Sequence, residues 1–309
     1  MRHVTSLEEL QLGQPAALTI GAFDGVHRGH QALIGALVAD AHANGRAAVV
    51  LTFFPHPSVV LRGRRPSFYL SSPDEKVAYL SELGVDSVVT HPFDLAVSKI
   101  TAAEFVDRLV TYAHLAELWC GADFALGHNR EGTVEFLQAE GDRRGFKVRI
   151  MSPFLIDGEV ISSTRIRQTL RDGAVEQAAR YLGRPFRVTG QVVEGAKRGR
   201  QLGIPTANLS IWDERAVPAV GVYACRATHA GGQTQAVVNI GFRPTFEGAP
   251  PQPVVEAHLL DYSGNLYGQA LSLDFIARLR PEIKFPGIEP LLAQIRHDIA
   301  EARQILANA

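Results

Sequence analysis

The first half of the chain alternates short, almost wholly apolar runs with longer amphipathic stretches. Residues 16–20, 47–53, 87–90, 117–121 and 146–150 read as strands. Runs that are apolar on both faces belong in a sheet covered on both sides, and strands separated by helices belong in a parallel sheet. Between them, residues 31–38, 74–83 and 102–112 carry helical spacing, the last with Thr101 placed as its N-cap. This half is expected to be a doubly wound α/β domain, with ligands beyond the carboxyl ends of its strands.

The second half changes period. Residues 187–193, 222–227, 235–239, 254–260 and 270–275 are short alternating strands separated by Gly, Pro, Asn and Asp, the pattern of a small antiparallel barrel. Ile288, Leu291, Leu292, Ile295, Ile299, Ala302 and Leu306 recur at near-helical spacing and predict a terminal helix. A short helix at 174–182 between Gly173 and Gly183-Arg184-Pro185 marks the boundary. The expected division is a first domain at 1–172, a linking helix within 173–186 and a barrel domain at 187–309.

Composition narrows the function classes. The 309 residues carry a net charge of −1, with 46% hydrophobic and 20% charged residues, so an ordinary globular protein is expected rather than a disordered one. No long basic block argues for nucleic acid, and the cluster 62–65 reads as a solvated loop. Two cysteines far apart, Cys120 and Cys225, argue against a disulfide framework and for a reducing, cytoplasmic setting. The N-terminal residues lack the apolar core of a signal peptide. No apolar segment approaches the roughly 20 residues needed to span a bilayer.

The densest chemistry lies after the first strand, in Gly21-Ala22-Phe23-Asp24-Gly25-Val26-His27-Arg28-Gly29-His30. A strand, a glycine-bearing turn and a helix start make an anion site, because the first helical N–H groups are unpaired and carry the positive end of the dipole. His27 and His30 placed there can donate to phosphate charge that grows during reaction. Residues 161–167 add Ser162, Ser163, Thr164 and Arg165 at a second helix start, a set of hydroxyls, amides and fixed charge suited to a leaving phosphate. A plain N-cap with surface arginines is the bland alternative for that segment. Zinc needs three or four ligands at fixed spacings. His42 and His56 do not supply them, so no histidine-ligated metal is expected.

The extended motif Gly-x-Phe-Asp-Gly-Val-His-x-Gly-His resembles one branch of the nucleotidyltransferase superfamily, the prokaryotic bifunctional riboflavin kinase/FAD synthetases. Thr52-Phe53-Phe54-Pro55-His56-Pro57, residues 121–132 and residues 161–167 match the same family in order. The resemblance implies a Rossmann-like nucleotidyltransferase domain that binds ATP through Gly21, Phe23, Asp24, His27, Gly29, His30, His56, Asp123, Ser162, Ser163, Thr164 and Arg165. It makes Phe54 and Phe124 candidates for the flavin pocket. Leu126 stands where the family commonly has a second aromatic.

The barrel carries Gly195-Ala196-Lys197-Arg198-Gly199-Arg200-Gln201-Leu202-Gly203-Ile204-Pro205-Thr206-Ala207-Asn208. Glycines let backbone approach phosphates closely. Thr206 and Asn208 share one face of an extended segment, where their oxygens could hold Mg²⁺ against ATP. The stretch resembles the riboflavin kinase signature, implying an ATP/Mg site at Gly195, Lys197, Gly199, Gly203, Thr206 and Asn208. Residues 239–246 and 255–261 also match. Glu256 sits in an otherwise apolar strand, where a carboxylate needs a partner or a job. The resemblance makes it the general base on the ribityl 5′-hydroxyl; a salt bridge to Arg243 is the alternative. Arg280 is a further flavin candidate.

Taken together, the resemblance implies phosphorylation of riboflavin to FMN and adenylylation of FMN to FAD. Glu256, His27 and His30 would be catalytic, and Mg²⁺ would arrive with ATP, with no tightly bound prosthetic group. Riboflavin, FMN, FAD, ATP, ADP and pyrophosphate are the expected partners, with no nucleic acid and no membrane, in a monomer or transient oligomer. A chain with one live site and a non-catalytic flavin binder are the other readings. Intact His27, Gly29, His30 and 162–165 argue against the first, and the phosphate-site glycines with Glu256 against the second.

Overall fold

The computed structural model describes residues 1–63, 67–195, 203–243 and 252–308. The chain divides into two compact units, Met1–Arg65 with Tyr69–Ser163, and Pro66–Phe68 with Thr164–Ala309.

The first unit is built on a six-stranded sheet of β1 (Arg2–Val4), β2 (Ala16–Ile20), β3 (Ala47–Phe54), β4 (Ser87–Pro92), β5 (Leu115–Gly121) and β6 (Lys147–Met151). Their order is β1-β4-β3-β2-β5-β6, and every neighbouring pair is parallel. Helices α1 (Arg28–Ala43), α2 (Pro57–Arg62), α3 (Pro73–Ser81), α4 (Ala102–Ala113) and α5 (Val134–Arg144) join them. All of β2 is buried, as its apolar run predicts for a strand covered on both faces. Leu18, Val49, Leu51 and Leu118 pack on one face with Phe105, Val106 and Leu109 of α4. Val50 and Val88 pack on the other with Ile34 of α1 and Leu80 of α3. Thr101 does cap α4, in a capping box with Glu104.

From β2 the chain steps through β3 and β4 on one side, and β5 and β6 lie on the other. The strand order therefore reverses between β2 and β5, and the crevice beyond their carboxyl ends lies past Ile20 and Gly121, where open α/β sheets bind ligands. Helix α5 was not evident from apolar spacing. Its buried positions include Glu140 and Gly141. Glu140 is paired with Arg143 and Arg144, and Gly141 lies so close to the Phe146 carbonyl that any Cβ would strike it. A hairpin of β7 (Leu155–Ile156) and β8 (Glu159–Val160) follows.

Helix α6 (Ser163–Arg171) begins at the last residue of the first unit and continues in the second. The second unit then adds α7 (Val175–Leu182), β9 (Phe186–Val193), β10 (Ala207–Ser210), β11 (Gly221–His229), β12 (Gly232–Arg243), β13 (Gln252–Leu259), β14 (Ala270–Arg280) and α8 (Ile288–Ala307). The strands close a barrel in the order β10-β13-β12-β11-β14-β9, antiparallel throughout. Ala302 and Leu306 of α8 cover Val222, Ala224 and Val237 of the barrel. Helix α7 is fastened to the barrel at Arg278. The Arg278 N–H donates to Glu176 at 3.1 Å, and its guanidinium donates to the carbonyls of Asp172 at 3.1 Å and Val220 at 2.9 Å.

Candidate active site

In the first unit, residues 21–27 leave β2 into the crevice and end at the N-terminus of α1. The turn is tight: Phe23, Gly25 and Val26 all have positive φ, of 47°, 78° and 40°. For β-branched Val26 this is a strained conformation that surrounding contacts must hold. Asp24 supplies them. Its buried carboxylate accepts the Leu70 N–H at 2.9 Å and the Ser71 N–H at 3.2 Å, while Ser71 Oγ accepts the Gly25 N–H at 3.1 Å. Phe23 is buried in the core on the α1 side of the sheet.

His27 is the N-cap of α1, and its Nδ1 accepts the His30 N–H at 3.4 Å. The two imidazoles stack, with centroids 3.6 Å apart and planes at 20°; Phe23 meets His30 edge-on at 5.0 Å. Gly29 lies between them, and a Cβ there would sit 3.2 Å from the His27 ring. His30 Nδ1 is sealed from solvent and has no hydrogen-bond partner among the described residues. Burial, then the neighbouring His27 and Lys76 charges, hold the His30 pKa well below the usual histidine value. The ring is thus neutral at ordinary pH, with a buried nitrogen that no described residue satisfies.

In the same unit a small cavity is lined by residues that include Ala22, Phe54, His56, Tyr69, Ser71 and Lys76. Phe54 and Tyr69 form one aromatic wall, 5.9 Å apart. His56 caps α2 through Nδ1, which accepts the Ser58 N–H at 3.0 Å. Ser163 Oγ donates to the Asp24 carbonyl at 3.0 Å, so Ser163 touches the motif turn; Gly21, just after β2, begins that turn. Ser162 is exposed just before α6, and Thr164 and Arg165 stand on its first turn, counted with the second unit. Asp123 is exposed past β5, and Phe124 packs against the core.

In the second unit, strand register assembles a polar row that no sequence spacing reveals. Asn208 of β10 stands opposite Glu256 of β13, which stands opposite Asn239 of β12. Glu256 is half-buried. Asn208 is buried, and its Oδ1 lacks a hydrogen-bond partner among the described residues. Its amide lies directly over Gly195, where a Cβ would strike it. Thr206 is half-buried two residues before Asn208, and Gly203 has a φ of 75°. His258, two residues from Glu256, donates from Nδ1 to the Pro205 carbonyl at 2.8 Å and so pins the segment that carries Thr206. Arg280 is held in a bidentate pair with buried Asp298, at 3.0 and 2.8 Å. Lys197 and Gly199 lie outside the described residues, as do residues 244–246 of the Asn-Ile-Gly stretch and the Arg243 side chain.

Tyr69, Ser71, Asn239 and Lys76 were not singled out from sequence. Asn239 becomes visible only through the β12–β13 register. Lys76 carries a sequence signal: it lies four residues before Leu80, and the two are the buried positions of α3, a charge on an apolar stripe.

Residues 10–165 match the family described as FAD synthetase, and residues 182–306 the one described as riboflavin kinase. The chain is 37% identical over 292 residues to a bifunctional riboflavin kinase/FMN adenylyltransferase of Haemophilus influenzae, covering 94% of each protein. It is 34% identical over 310 residues to that of Bacillus subtilis, covering 99% of this chain and 98% of the relative. A solved structure described as a macrolide-efflux protein from Streptococcus pneumoniae superposes with a TM-score of 0.89 at 29% identity, over 97% of this chain and 98% of that one. Among the described residues no helix is long and apolar enough to cross a membrane. Matched along nearly its whole length, with the histidine turn in one unit and the glutamate row in the other, the chain belongs to the family of bifunctional riboflavin kinase/FMN adenylyltransferases, enzymes that carry riboflavin to FMN and FMN to FAD.

Proposed function

We propose that residues 1–172 carry the adenylyl transfer and residues 187–309 the phosphoryl transfer, with 173–186 joining them. In the barrel, Glu256 takes the proton of the riboflavin 5′-hydroxyl. That oxygen attacks the γ-phosphorus of ATP, the bond to the bridging oxygen breaks, and ADP leaves. In the first unit a phosphate oxygen of FMN attacks the α-phosphorus of a second ATP, the α–β bridge breaks, and pyrophosphate leaves. No enzyme nucleophile is needed. His27 and His30 stabilise charge on the reacting phosphates, with Gly21, Gly29, Ser162, Ser163, Thr164 and Arg165 along the phosphate chain and Asp24 holding the turn. His56 and Asp123 lie toward the nucleoside, and Phe54 and Phe124 toward the flavin.

Kinases and nucleotidyltransferases of these families use ATP with Mg²⁺. In the barrel, the buried and unpartnered Asn208 Oδ1, set against a glycine that leaves room for nothing larger, fits a hard cation that prefers oxygen ligands. Asn208 and Thr206 would hold it, and bound there it would neutralise charge on the ATP phosphates. Free, buried Cys120 and Cys225 support a reducing cytoplasmic setting. The protein acts there as a monomer or transient oligomer, without nucleic acid or membrane.

The observation that carries the two-site reading is the pairing of an unsatisfied His30 in one unit with the Asn208–Glu256–Asn239 row in the other. Incubation of the purified protein with riboflavin and Mg-ATP, followed by chromatographic separation of flavins, tests it. FMN and then FAD are expected; accumulation of FMN with no FAD at any ATP or Mg²⁺ level rejects the reading.

A further inference from the structure

Lys76 is a buried charge of the first unit that takes no step in either reaction. It is 6% exposed, and its ammonium donates to Thr52 Oγ1 at 2.9 Å, to the Phe53 carbonyl at 3.1 Å and to the Ala22 carbonyl at 3.2 Å. Thr52 Oγ1 in turn donates to the same Ala22 carbonyl at 3.0 Å, closing a triangle of mutually polarised bonds. An ammonium has three N–H donors, and all three are used within the protein. Lys76 therefore has none left for a ligand, and any part it plays is indirect.

The two carbonyls it holds are informative. Ala22 belongs to the turn that runs to His27, and Phe53 lies immediately before Phe54 at the end of β3. One side chain thus ties the histidine turn to the strand that carries the aromatic wall of the cavity. Its charge is also felt at the site. It is among the causes that keep His30 neutral, together with burial and His27. Burial pushes the Lys76 pKa down to about 8, against the attraction of Asp24. A buried cation bonded only to neutral acceptors is costly, and a site for a polyanion is a place where such a charge has a use.

We infer that Lys76 is a positioning residue of the adenylyl-transfer site: it sets the Ala22–His27 turn against the end of β3 and holds a positive potential under the phosphates. This rests on the assignment of His27 and His30 to FAD formation.

The test compares wild type, Lys76→Met, Lys76→Arg and His30→Ala for FAD formation from supplied FMN, with riboflavin phosphorylation measured alongside. Lys76→Met is expected to lose about 10²-fold in kcat, as displaced catalytic geometry does, with FMN formation unchanged. Lys76→Arg, which keeps the charge, is expected to recover part of the loss. In NMR titrations of the His30 ring, where His27 and Lys76 are the neighbouring titratable groups and Asp24 faces Lys76, Lys76→Met should raise the His30 pKa. Where Lys76→Met does not fold, Thr52→Val serves, since it breaks the triangle and leaves the charge; a reduced kcat is expected. Wild-type kcat in the folded Met variant, or in Thr52→Val, overturns the assignment of Lys76. Wild-type FAD formation by His30→Ala overturns the site reading on which it rests.

Discussion

The imidazoles of His27 and His30 lie face to face, 3.6 Å between centroids, while His27 Nδ1 accepts the backbone N–H of His30. A helix cap and a stacked ring pair are thus one device. The cap spends one His27 nitrogen on the helix, and the stack presents the second imidazole with an unsatisfied nitrogen. His30→Ala should lower FAD formation by about 10²–10³-fold, the usual loss for one preorganised donor. FMN formation should continue at the wild-type rate. Steady-state assays of the two steps check this, and equal loss in both would reject separate sites.

The same burial makes His30 a source of acid sensitivity. Its pKa is lowered in the folded protein, first by burial and then by His27 and Lys76. Its contribution to stability is therefore complete above the unfolded value of about 6.5. As pH falls below that value the unfolded chain takes up the proton first, and stability is lost down to the folded pKa. Calorimetric melting between pH 7.5 and 5 should show a larger fall for wild type than for His30→Phe; parallel curves would contradict the assignment.

Glu256→Gln keeps the shape of the barrel row and removes its proton acceptor. Riboflavin phosphorylation should fall by about 10²–10⁴-fold, with ATP binding little changed. Supplied FMN should still become FAD. Wild-type FMN production in an assay limited by chemistry would return Glu256 to a structural role.

Gly195→Ala tests the cradle beside it. The added Cβ would strike the Asn208 amide, and Asn208 is buried with little room to move. Apparent Mg²⁺ affinity in the kinase step should weaken by about 10–100-fold, as for loss of a group that orients a metal ligand, while FAD formation from FMN is unaffected. A kinase with unchanged Mg²⁺ dependence would remove Asn208 from the cation site.

Arg280 and Asp298 join the end of β14 to α8 through a buried bidentate pair, 16% and 2% exposed. Asp298→Ala leaves the guanidinium buried without its partner and should cost about 3–5 kcal/mol. Denaturant unfolding followed by Trp212 fluorescence in a Trp119→Phe background reads this in the second unit. A change below about 1 kcal/mol would place the pair among exposed ones of little consequence.

The apolar runs at 16–20 and 47–53 and the alternating ones from 187 onward were enough to tell a parallel sheet from an antiparallel barrel. Burial on two faces and burial on one leave different hydrophobic periods in the chain itself. The motif turn was equally legible, because Gly25 and the two histidines are needed locally, within ten residues. Helix α5 was not, because its buried face continues past Val134 and Leu137 with a paired Glu140 and with Gly141 rather than with further apolar side chains. Only tertiary structure put Asn208, Glu256 and Asn239 in one row, since strand register is decided between segments far apart in sequence. Only tertiary structure also closed the Lys76, Thr52 and Ala22 triangle, which makes the lysine a buried strut. Backbone propensity and hydrophobic burial act along the chain and can be read from it. The partner of a buried polar group depends on which segments the completed core brings within hydrogen-bond distance.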